Sequence, residues 1–202
     1  RHIIIQDGSS FAIHDGLREV FPGRFKAIKP AAVELHTTMD LLCDAPTTVV
    51  LTPDTTSEQA FLPAPPSLRD SLLLADRGYV DLRYLRRVQD EGGFFLIRAK
   101  AGMNPQVLDA FREDGKRLRS LRNKALQTIH TKLPKRQRVE LGVQWQIDGH
   151  PLCLRLILSW NPRTKSFCYF LTNLPAKQYP LEVICRAYKW RWQGELLFKE
   201  WK

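Results

Sequence analysis

Apolar positions follow two rhythms along this chain, and the change from one to the other outlines the elements to expect. Residues 2–6 carry three consecutive isoleucines, a β-branched run with no polar break, which predicts a buried strand. Asp7-Gly8-Ser9-Ser10 then reads as a turn, with residues 11–14 as the return strand of a hairpin. Residues 17–21 form a short helical or turn segment closed by Pro22-Gly23, and residues 31–42 and 47–52 are strands of an early antiparallel region. The Pro-rich stretch 62–67 is a connector. Next comes an apolar strand, 71–75, that delivers Asp76 at its C-terminal end. A helix over 80–89 follows, with Leu82, Leu85 and Val88 at helical spacing, then a Gly92-Gly93 stop and a strand over 94–98. Strand–helix–strand in that order predicts a right-handed parallel crossover. A second β-rich block follows: 138–146 alternates, 152–160 is long and strand-like, and 166–172 comes after the Asn161-Pro162 turn, with Asp148-Gly149 marking a hairpin. The segment 180–202 predicts one helix, with Pro180 at its start, where a missing N–H costs nothing.

Composition narrows the class. With 202 residues, 44% hydrophobic and 26% charged, the chain is long enough for one well-packed α/β domain and too apolar for general disorder. No apolar run approaches the roughly 20 residues that span a bilayer, and no signal peptide opens the chain, so a cytoplasmic protein is expected. The chain starts at Arg1 on a strand and stops at Lys202 inside a helical pattern, so it is expected to be part of a longer protein. Cys43, Cys153, Cys168 and Cys185 have no paired metal-ligand spacing and are expected to be buried, reduced thiols.

The net charge of +10 points to a polyanionic partner, and it is concentrated. Residues 112–138 hold ten cations against two acids, Glu113 and Asp114. A solvated basic face explains such a run equally well, so the charge alone assigns nothing.

Three acids stand where catalytic acids belong: Asp7 after a buried strand, Asp76 at the end of another, and Glu195 on the terminal helix. Carboxylates on separate rigid elements supply the oxygen ligands that Mg²⁺ needs. Two such ions about 4 Å apart can activate an attacking oxygen and stabilise a leaving one in phosphodiester chemistry. Each acid taken singly has an ordinary structural explanation, as a turn, a cap or a solvated face; Asp15, in the neighbouring Asp-Gly, is the rival for the first position. The terminal helix adds a pattern. At about 100° per residue, Tyr188, Arg191, Glu195 and Lys202 fall within one sector of roughly 60°. By the same arithmetic Val183, Trp190, Leu197 and Trp201 form an apolar stripe of about 40°, which predicts that this stripe is buried and the Tyr-Arg-Glu-Lys face is presented outward.

The spacing Tyr188, Arg191, Glu195, Lys202, with two, three and six intervening residues, resembles the Tyr-Arg-Glu-Lys signature of bacterial DDE transposases of the insertion-sequence-four group. Ile-Gln-Asp-Gly-Ser-Ser-Phe around Asp7 and Leu-Leu-Ala-Asp-Arg-Gly-Tyr around Asp76 resemble that group's first and second acidic motifs. The resemblance implies an α/β, ribonuclease-H-like core with a mixed central sheet, and a β-rich insertion before the terminal catalytic helix. Residues 1–111 would be the first part of the core, 112–178 the basic segment and insertion, and 179–202 the truncated terminal helix. It further implies two Mg²⁺ or Mn²⁺ ions held by Asp7, Asp76 and Glu195, with Tyr188, Arg191 and Lys202 contacting DNA. The implied partners are double-stranded DNA, as transposon ends and target, and a second copy in a homodimeric active complex. Members that cut through a DNA hairpin hold a flipped base against a Trp of the insertion, a place that Trp160 or Trp145 would fill. A ribonuclease-H-like nuclease without strand transfer would share the acids, and a catalytically inactive DNA-binding remnant would share the charge. The complete helix signature argues against the first and the three intact acids against the second.

Overall fold

The apolar runs at 3–5, 72–75 and 94–98 become three adjacent parallel strands, and everything else is hung on them. The computed structural model describes residues 2–43 and 45–200, for Glu200 the backbone alone. In chain order it has β1 (Ile3–Ala12), β2 (Ala32–Asp40), β3 (Ala45–Pro53), β4 (Leu72–Ala75), α1 (Leu82–Asp90), β5 (Phe94–Arg98), β6 (Gln106–Arg112) and β7 (Lys124–Ala125). Then come α2 (Leu126–Ile129), β8 (Val139–Ile147), β9 (His150–Asn161), β10 (Ser166–Thr172), α3 (Leu181–Ala187) and α4 (Trp192–Glu200). The strands form a single mixed sheet in the order β3-β2-β1-β4-β5-β10-β9-β8-β6-β7.

Strand alternation divides the core between two faces. Leu73, Ala75, Phe95 and Ile97 join Leu85 and Val88 of α1 on one side; Ile5, Leu74 and Leu96 join Ile184, Ala187 and Tyr188 on the other. Asp81 caps α1, accepting from the Arg83 and Tyr84 amides.

Four expectations need correction. The Asp7-Gly8 hairpin does not form: β1 runs straight through to Ala12, because β2 pairs with it at every residue from Ile4 to Ala12. A turn-like composition yields here to a full ladder of tertiary hydrogen bonds. The β-rich block of 138–172 does not stand outside the core. It forms its own antiparallel run, as read, but β10 pairs with β5 at Phe170↔Arg98, Leu171↔Ile97 and Thr172↔Leu96, so the block continues the central sheet. The edge of β5 would otherwise expose unpaired N–H and C=O groups. The terminal segment is not one helix, since a 3₁₀ turn at Tyr188–Arg191 separates α3 from α4. Finally, the thiols are free but not buried: Cys43 and Cys153 are exposed, and Cys168 and Cys185 half-buried. Cys43 lies in the turn that follows β2, and Cys153 on the outward side of β9.

Candidate active site

The register of β1 and β4 sets the site. Their parallel pairing places Gln6 opposite Ala75, so Asp7 and Asp76 follow at the same level on neighbouring strands. Asp7 shares the side of β1 on which Ile5 packs against the terminal helices. There α4 crosses β1 closely, because a Cβ on Gly194 would lie 3.2 Å from Ile5 Cγ2 and 3.5 Å from Asp7 Oδ2. Glu195 is the next residue. Asp7, Gly8, Ser9, Asp76, Arg191, Glu195, Phe198 and Lys199 together line one open cavity of about 360 Å³. Asp15 sits apart, exposed in a 3₁₀ turn.

The terminal helices present the opposite side from the one expected. Tyr188 and Arg191 are buried at 7% and 6% exposure, together with Leu181, Ile184, Ala187 and Phe198, while Trp190 is 45% exposed. Leu181, Ile184, Ala187, Tyr188 and Arg191 recur at spacings of three and four, so they make up the buried side by helical periodicity itself. The Val183/Trp190/Leu197 stripe is therefore not the buried one; Trp201 and Lys202 lie outside the described residues.

Arg191 is buried because it is paired. Its Nη1 donates to Asp7 Oδ2 at 2.9 Å and its Nη2 to Glu195 Oε1 at 2.5 Å. Burial works against its charge, but Asp7, Tyr188 and Glu195 outweigh that and hold it protonated. Asp7 is pushed up to about 6, because burial and the nearby Glu195 and Asp76 carboxylates outweigh Arg191 and the Gly8 amide. The Tyr188 hydroxyl lies 3.3 Å from Asp76 Oδ1 and 3.4 Å from Ala75 O, and burial keeps it in the neutral, donating form. Its ring packs against Phe170 at 4.8 Å.

The donors suit a hard divalent cation in kind: three carboxylates from β1, the end of β4 and α4, one of them buried and short of positive charge. As they stand, no three acidic, His or Cys side chains among the described residues close on a single point. The guanidinium of Arg191 lies between two of the acids instead. Sequence reasoning missed Ser9 and Lys199 at the rim; Lys199 stands one helical turn after Glu195, a spacing available from the sequence. It also missed a groove of about 540 Å³ beside Tyr188, lined by Arg98, Arg138, Lys189, Trp160, Phe170 and Trp192 among others. In the basic segment many cations are already paired, as in Arg117–Asp109 and Arg138–Glu113, whereas Lys135 stacks over Trp160 at 5.2 Å.

The transposase DDE domain family matches residues 1–202. The transposase for insertion sequence element IS1151 of Clostridium perfringens is 21% identical over 244 aligned residues, covering 99% of this chain and 50% of that protein. The chain thus spans about half the length of the curated relative it matches. Among solved structures, a cryo-EM synaptic complex of the piggyBac transposase with hairpin DNA matches 98% of this chain and 40% of its own, at a TM-score of 0.51 and 9% identity. That likeness is one of fold.

Proposed function

The chain belongs to the transposase DDE domain family, and we propose that it is the catalytic domain of a DNA transposase that cleaves DNA strands at transposon ends and joins them to a target. The observation that carries this is the β1–β4 register: it sets Asp7 and Asp76 side by side while α4 brings Glu195 over them into one cavity. Asp7, Asp76 and Glu195 would hold divalent ions, Mg²⁺ or Mn²⁺. Such ions, when bound, activate the attacking oxygen and stabilise the leaving one. The chain's own residues do the rest. The Tyr188 hydroxyl orients the Asp76 carboxylate, and Arg191 keeps Asp7 and Glu195 from repelling one another. Arg98, Arg138 and Lys189 line the groove beside Tyr188, where they suit DNA phosphates, and Trp160 and Trp192 give it faces on which a base can stack. The spacing of Tyr188, Arg191 and Glu195 supports placing the protein in the insertion-sequence-four group, and the sheet supports a ribonuclease-H-like core. Double-stranded DNA is then the partner of a cytoplasmic protein; among the described residues no helix is long and apolar enough to cross a membrane.

The test has two arms. Calorimetry should show Mn²⁺ binding to this chain that Glu195→Ala greatly weakens. In the full-length protein, acting on the ends that flank its own element, Glu195→Ala should reduce cleavage and joining by about a thousandfold, the scale of losing metal-assisted charge stabilisation. Undiminished cleavage in that variant would remove Glu195 from the site. Cleavage without joined product would make the protein a nuclease.

A further inference from the structure

On the side of β1 opposite Asp7, a second group of carboxylates gathers. Gln6 and Gly8 point to that side, where β2 brings Glu34 and His36. A Cβ on Gly8 would lie 3.0 Å from Glu34 Oε1, 3.3 Å from the Tyr79 hydroxyl and 3.6 Å from His36 Nδ1, so the three converge closely on the space that glycine leaves. Glu58, from the 3₁₀ turn Glu58–Phe61, sets its carboxyl against that of Glu34. The same Glu58 side chain fills the space beside Gly78, where any Cβ would collide with its Oε2. Gln59 completes the grip: its amide donates to Gly78 O and Val80 O, at 3.2 Å each.

Gly78 belongs to the turn Arg77–Tyr79 that follows Asp76, and the Tyr79 amide donates to Asp76 O. A rigid path therefore runs from Glu34 on the sheet through Glu58 to the turn that carries the second acid. We propose that Glu58, braced by Glu34, is a positioning residue that fixes the Asp76 turn relative to Asp7 from behind the sheet. This rests on the reading of Asp7 and Asp76 as metal ligands, neither of which Glu58 touches.

Charge explains why the brace holds. Glu58 and Glu34 face Asp54 at the end of β3, Arg24 ahead of β2, the neutral Tyr79 hydroxyl and His36. Arg24 is the one cation there among the described residues, reaching Glu34 at 3.3 Å and bonding Asp54 through its amide and its Nε. Burial and Glu58 push Glu34 up to about 7 against the pull of Arg24, and burial keeps His36 neutral. The proton that Glu34 retains, donated to the Glu58 carboxylate, turns repulsion into a hydrogen bond, and its loss loosens the turn.

The experiment compares Mn²⁺ affinity of wild type, Glu58→Ala and Glu58→Gln by calorimetry at about pH 6 and about pH 8.5, either side of the Glu34 titration. Glu58→Ala should bind about tenfold more weakly at the lower pH, as for other groups that support a metal ligand, and by less at the higher one, where wild type has itself lost the proton. Glu58→Gln should match wild type at the lower pH and exceed it severalfold at the higher one, because an amide bridges to Glu34 without a proton. An affinity for Glu58→Ala equal to wild type at the lower pH overturns the proposal. So does parallel weakening of both variants at both pH values, which is what lost packing alone would produce. If wild type binds no Mn²⁺, the metal reading fails by itself, and amide exchange at Tyr79 and Val80 decides the positioning role: faster exchange in Glu58→Ala upholds it, and unchanged exchange overturns it.

Discussion

The two faces of β1 carry nearly the same charges and do different things with them. In front, Asp7 and Glu195 pair with Arg191 while Asp76 meets the Tyr188 hydroxyl; behind, Glu34 and Asp54 pair with Arg24 while Glu58 lies against Glu34. Among the described residues each group thus sets three acids against one arginine, with Lys199 added at the rim of the front one. The rear group lies under the Glu58–Phe61 turn, and the cheapest remedy there is a proton between two carboxyls. The front group opens into a cavity with Ser9 and Lys199 at its rim, and its acids come from three separate elements. Room and the kind of oxygen donor suit it to a divalent ion. Charge count alone does not distinguish the two groups, and neither does the number of elements that supply the acids; access to an open cavity does.

The comparison breaks first at the arginines. Arg191 has a side chain 7% exposed and bridges two acids, whereas Arg24 is 45% exposed. Arg191→Ala should cost about 3 kcal/mol of stability in urea unfolding, the scale for stranding a buried partner. Arg24→Ala should cost about 1 kcal/mol or less. Saturating Mn²⁺ should restore much of the loss in Arg191→Ala, since the metal supplies the missing charge, and none of the loss in Arg24→Ala. Equal losses, or rescue of both, would erase the distinction between the faces.

A pH titration of stability sharpens it further. Asp7 is raised from 3.8 to about 6 in the folded chain. A raised acid favours folding while protonated, so its contribution is fully present below about pH 4 and is lost as pH rises through about 6. A shift of that size corresponds to about 3 kcal/mol. Asp7→Asn should flatten this limb. Mn²⁺ should raise stability above about pH 6, where Asp7 is ionised and free to take the ion. A titration unaffected by Asp7→Asn would mean that Arg191 keeps Asp7 ionised throughout.

Legibility from sequence followed the range of the interactions. β1, β4, β5 and the crossover helix were readable because continuous apolar runs and helical spacing are local signals, and Asp7 and Asp76 could be placed at strand ends from them. Asp7-Gly8-Ser9-Ser10 misled because turn composition is local too, while the β2 ladder that overrides it lies some 30 residues away. Pairing of β10 with β5 leaves no trace in either strand's alternation. The terminal face misleads because an arginine on a helix usually faces water, which favours the stripe through Trp190 over the side of Leu181, Ile184, Tyr188 and Arg191 that is buried. Only the acids opposite Arg191 explain its burial, and no periodicity in α3 or α4 reports them.

The smallest predicted effect tests how tightly the front depends on close approach. Gly194 is buried where α4 meets β1, and a Cβ there would press on Ile5 Cγ2 at 3.2 Å. Ile5 is 1% exposed in a packed layer and cannot retreat, so α4 must move off by a few tenths of an ångström. Alanine also favours the helix over glycine by about 1 kcal/mol, which offsets most of the overpacking. Gly194→Ala should therefore leave the melting temperature nearly unchanged. Glu195 rides on the same turn, and outward motion of α4 carries it away from Asp7 and Asp76. Mn²⁺ affinity should fall a few-fold, in the range seen when groups supporting a ligand are disturbed. Gly8→Ala, on the rear face, should behave the other way. There a Cβ meets Glu34, Tyr79 and His36 at 3.0–3.6 Å in the interior of a strand, with no helix free to yield, so stability should drop as well as affinity. If Gly194→Ala lowers stability and leaves Mn²⁺ binding intact, the close contact at Gly194 serves packing, and Glu195 does not depend on it for its place.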